Sequence, residues 1–522
     1  MEIVVVVKVI RTFKQIVKKL CPTMLWRKLQ SMRQAIARHQ EQKNFNTLFQ
    51  SRTICAPSAF APPPPQNTDL LDITYKIRVV FYNDWGASWE ALEPIAHTFL
   101  KNPVFEVIVL AMPSKVSSNR FYDLGASHCL QTFAHKMHCP VITKEDLDRV
   151  CAELRINQEQ KHKSYAQVIN SLFSQSLQTQ TNLLCILGFD KWEENHAFNA
   201  MTYLTPSDCM AHYCFTTRPY SGLRPETWHS RHIAIISKLC YVEYGVYAFE
   251  LHDDVCAYSE DNLRYYDYLF SPTTFHAQVA GAQQKNKSLL TIKVTGCARF
   301  DELIAYANSA QTIQQHQASL KPDSVRCPHR IRVLYMPRWG VKEAHSTFLS
   351  YTKLLLLEAK ASRILLHFRP HPNLHDYVVH NQKIMTQAQW DSFKNDVQQN
   401  GLWDESPSII ESFSRADVLV SDTSSMLIYA FLSGKPTIYT QGDFRSEVNW
   451  WALRVLQGCF IASNADDLLE FLARFRDDYE ATFFTRFALR DEILKQNFYF
   501  PKNGSTNTIL SVLLEDMQKT YK

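Results

Sequence analysis

The sequence predicts an α/β protein built from two doubly wound domains of parallel strands that face each other across a cleft. Three observations lead there. Apolar runs of strand length alternate with stretches of helical spacing, as in βαβ units. The alternation breaks in a polar stretch at 308–330 and then restarts. And 522 residues exceed what one ordinary core holds.

Residues 1–56 read as a basic arm. The opening MEIVVVVKVI is too short to span a bilayer and is interrupted by Lys8. Its charges follow the apolar run, the reverse of a secretory signal. From Val9 to Ile36 apolar residues recur at helical spacing between cations. Residues 1–44 carry ten Lys/Arg against two acids, a surplus of eight; with a net charge of +5 for the whole chain, the remainder carries −3. That distribution excludes a basic nucleic-acid-binding body and points the arm at an anionic membrane surface. The plainer alternative is a helix packed on the body with a solvated basic side. Residues 57–72 form a linker whose PPPP run favours a stiff, extended spacer.

The first globular domain spans 73–307. Strands are expected at 76–84 (KIRVVFYND), 104–112, 181–188, 238–244 and 292–296, with a helix from Ser88 to Leu100. Tyr265-Tyr266-Asp267-Tyr268 is assigned to helix packing. Residues 308–330 connect to a second domain at 331–500. There the expected strands are 331–337, 363–368, 416–421 and 436–440, and the expected helices 346–360, 385–400 and 423–433. A C-terminal helix within 501–522, from Ser505 to Met517, is expected to pack back across the cleft. No GxGxxG or GxxxxGK[ST] phosphate loop is present. Thirteen cysteines without a CxxC pair suit reduced thiols in a cytosolic protein, and no cofactor or metal cage is expected.

Parallel sheets gather ligands at the carboxyl ends of their strands. Two stretches of the second half fall there. Arg369-Pro370-His371-Pro372 follows the strand RILLHF. Ser421-Asp422-Thr423-Ser424-Ser425 follows ADVLV, where a helix should begin. Free backbone N–H groups at a helix start attract phosphate, and small hydroxyl residues leave room for it. Lys435-Pro436 recurs at the next strand. Together these outline a diphosphate site, with Arg369 as a bidentate clamp and Asp422 as the helix cap.

Residues 331–440 resemble the nucleotide-binding domain of the CDP-glycerol glycerophosphotransferases, the group that makes teichoic acids and capsule polymers. The matching pieces are VLYMPRWG, LLHFRPHPNLHDY, IMTQAQWDSFK, ADVLVSDTSSM and SGKPTIY. Weaker likeness extends through YCFTTRPYSGLRPETW, KLCYVEYGV, VTGCARFDEL and NGSTNTIL. The resemblance implies a GT-B fold: two Rossmann-like domains with a nucleotide-linked donor in the cleft, mostly on the C-terminal one. It implies that His371 is an active-site histidine and that Arg369, Asp422, Ser424 and Ser425 line the donor's phosphates; Arg338, Thr423 (where an aromatic or aliphatic residue is commoner) and Lys435 are expected at the same phosphate site. Gly296 and Asp301 match a structural signature. Many members carry a His-Gly pair, thought to supply the base; here the place reads Tyr244-Gly245, and His252 is the candidate substitute. An acidic-aromatic pair is replaced by Tyr429-Ala430.

The implied reaction moves glycerol phosphate from CDP-glycerol to a hydroxyl of a lipid-linked glycan or polyol-phosphate acceptor and releases CMP. The implied place is the inner face of the cell membrane, held peripherally. Two rivals stand beside it: a glycosyltransferase that uses a nucleotide sugar, and an inactive membrane-associated binding homologue.

Overall fold

The computed structural model describes residues 76–117, 120–153, 161–179, 182–189, 203–248, 257–284, 289–309, 330–341, 346–406, 408–442 and 448–521. The basic arm, the proline-rich linker, most of the 308–330 connection and His252 lie outside the described residues.

In the first half the strands are β1 (Ile77–Asn83), β2 (Phe105–Ala111), β3 (Ser114–Ser117), β4 (Arg120–Tyr122), β5 (Val141–Thr143), β6 (Leu183–Leu187), β7 (Tyr213–Thr216), β8 (Lys238–Val242), β9 (Tyr268–Ser271) and β10 (Thr291–Val294). Eight of them form one parallel sheet in the order β10-β9-β8-β7-β1-β2-β6-β5, while β3 and β4 make a small antiparallel ribbon. In the second half β11 (Ile331–Met336), β12 (Ile364–Phe368), β13 (Gly401–Trp403), β14 (Val418–Ser421), β15 (Thr437–Thr440) and β16 (Phe460–Ala462) form a second parallel sheet, ordered β13-β12-β11-β14-β15-β16. Two Rossmann-like α/β sheets therefore make up the body, the GT-B class of architecture.

Chemistry explains why the central strands read so clearly. Every residue of β1, IRVVFYN, is buried, as is every residue of β14, VLVS. Helices cover both faces of a parallel sheet, so its inner strands carry continuous apolar runs rather than an alternation. Tyr265–Tyr268 corrects the helical expectation. The helix Glu260–Leu263 ends before it, and Tyr268 opens β9, where its ring stacks on Phe270 at 5.7 Å. Tyr268 with LFS makes a strand buried at every residue, the setting that suits an aromatic of high strand propensity.

The last helix, Ser505–Tyr521, leaves the second half and docks on the first. Ile509, Leu513, Leu514 and Met517 join the apolar cluster of β1, β2 and the helix Gly86–Leu100. Asp516 then accepts from the Tyr213 hydroxyl and from Lys238 Nζ at 2.6 Å. Gly296 and Asp301 build the socket for this helix. Asp301 Oδ2 accepts from the Ser505 N–H at 2.7 Å. Gly296 has φ 78°, and a Cβ there would come within 2.4 Å of Ser505 Oγ, so only glycine satisfies both the backbone and the space. Among the described residues no helix is long and apolar enough to cross a membrane.

Candidate functional site

The second sheet reverses direction between β11 and β14, its two central strands. In a doubly wound sheet that reversal opens a crevice at the carboxyl ends. Arg338 follows β11 into this crevice, Asp422–Ser425 follow β14, and His371 follows the neighbouring β12.

The hydroxyl run starts the helix Ser425–Leu432. Ser424 is its N-cap, extended at φ −145° and ψ 163°, and makes no side-chain capping hydrogen bond. Its hydroxyl lies 3.3 Å from Ser421 Oγ. From Leu427 to Leu432 the helix is buried; only its first turn is half-exposed. The polar end of the helix, with its N–H groups and positive dipole end, is thus the part that meets the crevice.

Asp422 corrects the expectation of a cap or a direct phosphate neighbour. Its carboxylate is fully buried. It accepts from the Arg338 N–H at 2.9 and 3.0 Å, and from Thr347 N–H at 2.8 Å and Thr347 Oγ1 at 3.2 Å. One side chain therefore fixes the loop after β11 and the start of the helix Phe348–Lys360 against the end of β14. Burial raises its pKa to about 6 despite these donors. Thr423 serves the same framework: its carbonyl accepts from Arg338 Nη1 at 3.1 Å, and its hydroxyl is 3.4 Å from the Tyr439 hydroxyl.

His371 is half-buried. Its Nδ1 accepts from the Asn373 N–H at 3.1 Å, which assigns the proton of the neutral ring to Nε2. Burial, with the Arg338 charge adding to it, pushes its pKa down to about 3. The ring is therefore neutral at neutral pH, with its proton on Nε2. Arg338 also bears on Tyr244, in the facing domain.

That facing edge comes from β8. Beyond Tyr244, a Cβ on Gly245 would lie 3.6 Å from Ser425 Oγ, and the Tyr429 hydroxyl reaches the Tyr244 carbonyl at 3.4 Å. The carboxyl edges of the two sheets thus meet at the helix tip. The first sheet has its own reversal between β1 and β7. There Asp84 and Arg218 form a buried ion pair at 2.7 Å.

Arg369 and Lys435 do not join this grouping. Arg369 Nη1 donates to the Ser406 carbonyl at 2.9 Å and Ser412 Oγ at 2.8 Å, and lies 3.6 Å from Asp404. It braces the segment after β13; a bidentate clamp would require a guanidinium turned to the crevice, and Arg338 is the one beside the helix tip. Lys435 precedes β15 and donates Nζ to the carbonyl of Ala416, which precedes β14, at 2.6 Å. Both lie at the amino edge of parallel strands, the far end from the crevice. The sequence reading missed Glu243, a buried carboxyl at the end of β8; it stands next to Tyr244-Gly245, which was the only signal. Among the described residues no three His, Cys, Asp or Glu side chains converge on a metal-sized site.

No family model and no curated protein matches the sequence. Solved structures do. The chain is similar to the wall teichoic acid polymerase TagF soaked with CDPG, at 11% identity over 85% of this chain and 90% of that one, TM-score 0.46. It is similar to the UDP-GlcNAc 2-epimerase of Neisseria meningitidis bound to UDP-GlcNAc, at 13% identity over 84% and 100%, TM-score 0.44. A third is the S. aureus MnaA–UDP structure, at 10% identity over 80% and 95%, TM-score 0.41.

Proposed function

We propose that this protein transfers glycerol phosphate from CDP-glycerol to a hydroxyl of a membrane-linked glycan or polyol-phosphate acceptor. The observation that supports it most is the grouping at the β11/β14 reversal: the Ser425–Leu432 helix tip, the Arg338 guanidinium and the neutral His371 imidazole, opposite Tyr244-Gly245. The helix N–H groups and Ser424 and Ser425 would hold the donor's diphosphate, and Arg338 would neutralise it. The acceptor oxygen attacks the β-phosphorus, the bond to CMP breaks, and the acceptor's proton is released. Such a transfer is mainly positioning and charge neutralisation. As the anion enters beside His371, its negative charge favours the protonated ring, so His371 can strengthen its grip as charge moves.

The test is CMP release from CDP-glycerol by the full chain with a polyol-phosphate acceptor. Arg338→Ala and His371→Ala should each reduce turnover by about 100-fold or more. Normal turnover in both variants would exclude this pocket as the donor site. The same grip on a diphosphate fits a nucleotide sugar, because the contacts invoked stop at the phosphates; UDP release from UDP-sugars with no CMP release from CDP-glycerol would favour that reading.

The basic arm, in this reading, brings the enzyme to its lipid-linked acceptor. Deleting residues 1–50 should release the chain from anionic vesicles at physiological salt while activity on a soluble acceptor persists. Equal vesicle binding with and without the arm would refute that assignment.

A further inference from the structure

Tyr244 is held at both ends by groups that do not depend on a ligand. Its carbonyl takes the Tyr429 hydroxyl at 3.4 Å, from the very helix whose tip faces the crevice. Its ring stands edge-on to Trp85, centroids 5.2 Å apart at 79°. Trp85 lies beneath the Arg218 guanidinium at 5.4 Å. Arg218 is in turn fixed by Asp84 at 2.7 Å and Ser114 Oγ at 2.6 Å. The phenol is thus preorganised from the first domain, while the next residue, Gly245, passes close to Ser425. A side chain at 245 would narrow that approach.

The charged groups around the phenol come from both domains. Arg218 belongs to the first and is neutralised by Asp84. Arg338 belongs to the second, and its charge acts on Tyr244 and on His371 alike. The Arg338 guanidinium on the Thr423 carbonyl and Gly245 beside Ser425 bring the Arg338 side chain and the Tyr244-Gly245 segment to the same helix tip. Burial raises the Tyr244 hydroxyl above the ordinary phenol value, and the two guanidinium groups offset this only in part. At neutral pH the group is a hydrogen-bond donor and not a base.

We infer that Tyr244 closes the donor pocket from the facing domain by donating its hydroxyl to an anionic oxygen of the donor's outer phosphate, and that it does not take the acceptor's proton. The inference rests on the nucleoside-diphosphate reading above and holds for either head group. An inner phosphate lies with the nucleoside on the second domain; the outer phosphate is the one that a group on the first domain can reach. Tyr244 would thereby count the phosphates of the ligand, favouring a nucleoside diphosphate derivative over a monophosphate and, where CMP is the product, releasing it because it lacks the outer phosphate.

Calorimetric titration of the full chain tests this with CDP-glycerol against CMP, and with UDP-N-acetylglucosamine against UMP. Tyr244→Phe keeps the ring on Trp85 and removes only the donor. It should weaken the diphosphate donor that the wild type binds about tenfold, and leave the matching monophosphate within about twofold. Tyr244→His should bind that donor more tightly below about pH 6 than at pH 8, a dependence that follows imidazole protonation. Equal loss for monophosphate and diphosphate would make Tyr244 a structural residue and overturn the inference. So would unchanged donor affinity with reduced turnover, which would move the phenol to the acceptor. Arg338→Ala separates the two levels. If it weakens donor binding while Tyr244→Phe does not, this inference alone fails. A wild type that binds neither diphosphate donor overturns the pocket and the inference together.

Discussion

Replacing Asp422 by alanine is expected to destabilise the protein by about 3 kcal/mol and to abolish donor binding. The carboxylate is the shared acceptor for two backbone N–H groups and one hydroxyl, from Arg338 and Thr347. Alanine leaves those donors facing a dry space, and an unmet buried donor costs about 1–3 kcal/mol. The loss is local as well as global. Arg338 starts the loop that carries its guanidinium to the helix tip, and that loop is anchored through its own N–H. Asp422→Asn should cost less, about 1 kcal/mol, because an amide oxygen placed at Oδ2 still serves Thr347 and Arg338 while the amide nitrogen replaces only Oδ1. Chemical denaturation and donor titration read the two effects separately. Wild-type stability and wild-type donor affinity in the alanine variant would show that Asp422 organises neither loop.

The long inner strands and the position of the crevice could be read from the sequence; the orientation of its charged residues could not. β1, β2, β11 and β14 are buried runs with helical segments between them, and apolar content alone marks them. β5, β13 and β16 have three residues each, too few to display any period. They join their sheets by backbone pairing to stronger neighbours, which is a tertiary effect. The same limit governs the site. His371 and Ser424-Ser425 lie past the carboxyl ends of β12 and β14, a position that a polar residue just after an apolar run makes legible. Lys435 was misplaced because it sits just before a run, and that is the opposite edge. Capping is a local habit of aspartate, but the donors to Asp422 are 75 and 84 residues away in sequence. Arg369 looked like a clamp by chemical type, but Ser406 and Ser412, on a segment beyond β13, take its hydrogens first.

Both reversals in strand order are thus occupied by a carboxylate with a nearby arginine, used in different ways. In the first sheet Asp84 neutralises Arg218 side chain to side chain. In the second, Asp422 binds the backbone of Arg338 and leaves its guanidinium on the Thr423 carbonyl at 3.1 Å. The second reversal places an arginine beside a helix N-terminus, a pairing that suits an anion; at the first the arginine is held by a carboxylate.

Glu243→Gln is expected to change how stability depends on pH, with a gain on the order of 4 kcal/mol at pH 9. Glu243 is buried at the end of β8, and its Oε1 accepts from the Tyr258 hydroxyl. Burial dominates that hydrogen bond and raises its pKa from 4.5 to about 8. Between those values the folded chain keeps a proton that the unfolded chain has released, so stability falls as pH rises across this window and levels off above about pH 8. Asp422, raised from 3.8 to about 6, acts in the same direction at lower pH. His371 and His276, both lowered to about 3, act oppositely below their ordinary 6.5, where the unfolded chain takes up protons first. Lys435, lowered to about 8, adds stability with rising pH only above that point. All of these persist in the variant, so the difference between the two proteins isolates Glu243. Glutamine keeps an oxygen for Tyr258 and cannot ionise. The two proteins should therefore match within about 1 kcal/mol at pH 5, where the wild-type carboxyl is protonated in the fold, and diverge from pH 6 upward. Guanidinium denaturation at pH 5, 7 and 9 measures this directly. Parallel profiles across that range would mean that the carboxyl at the seam beside Tyr244 is not held neutral by burial.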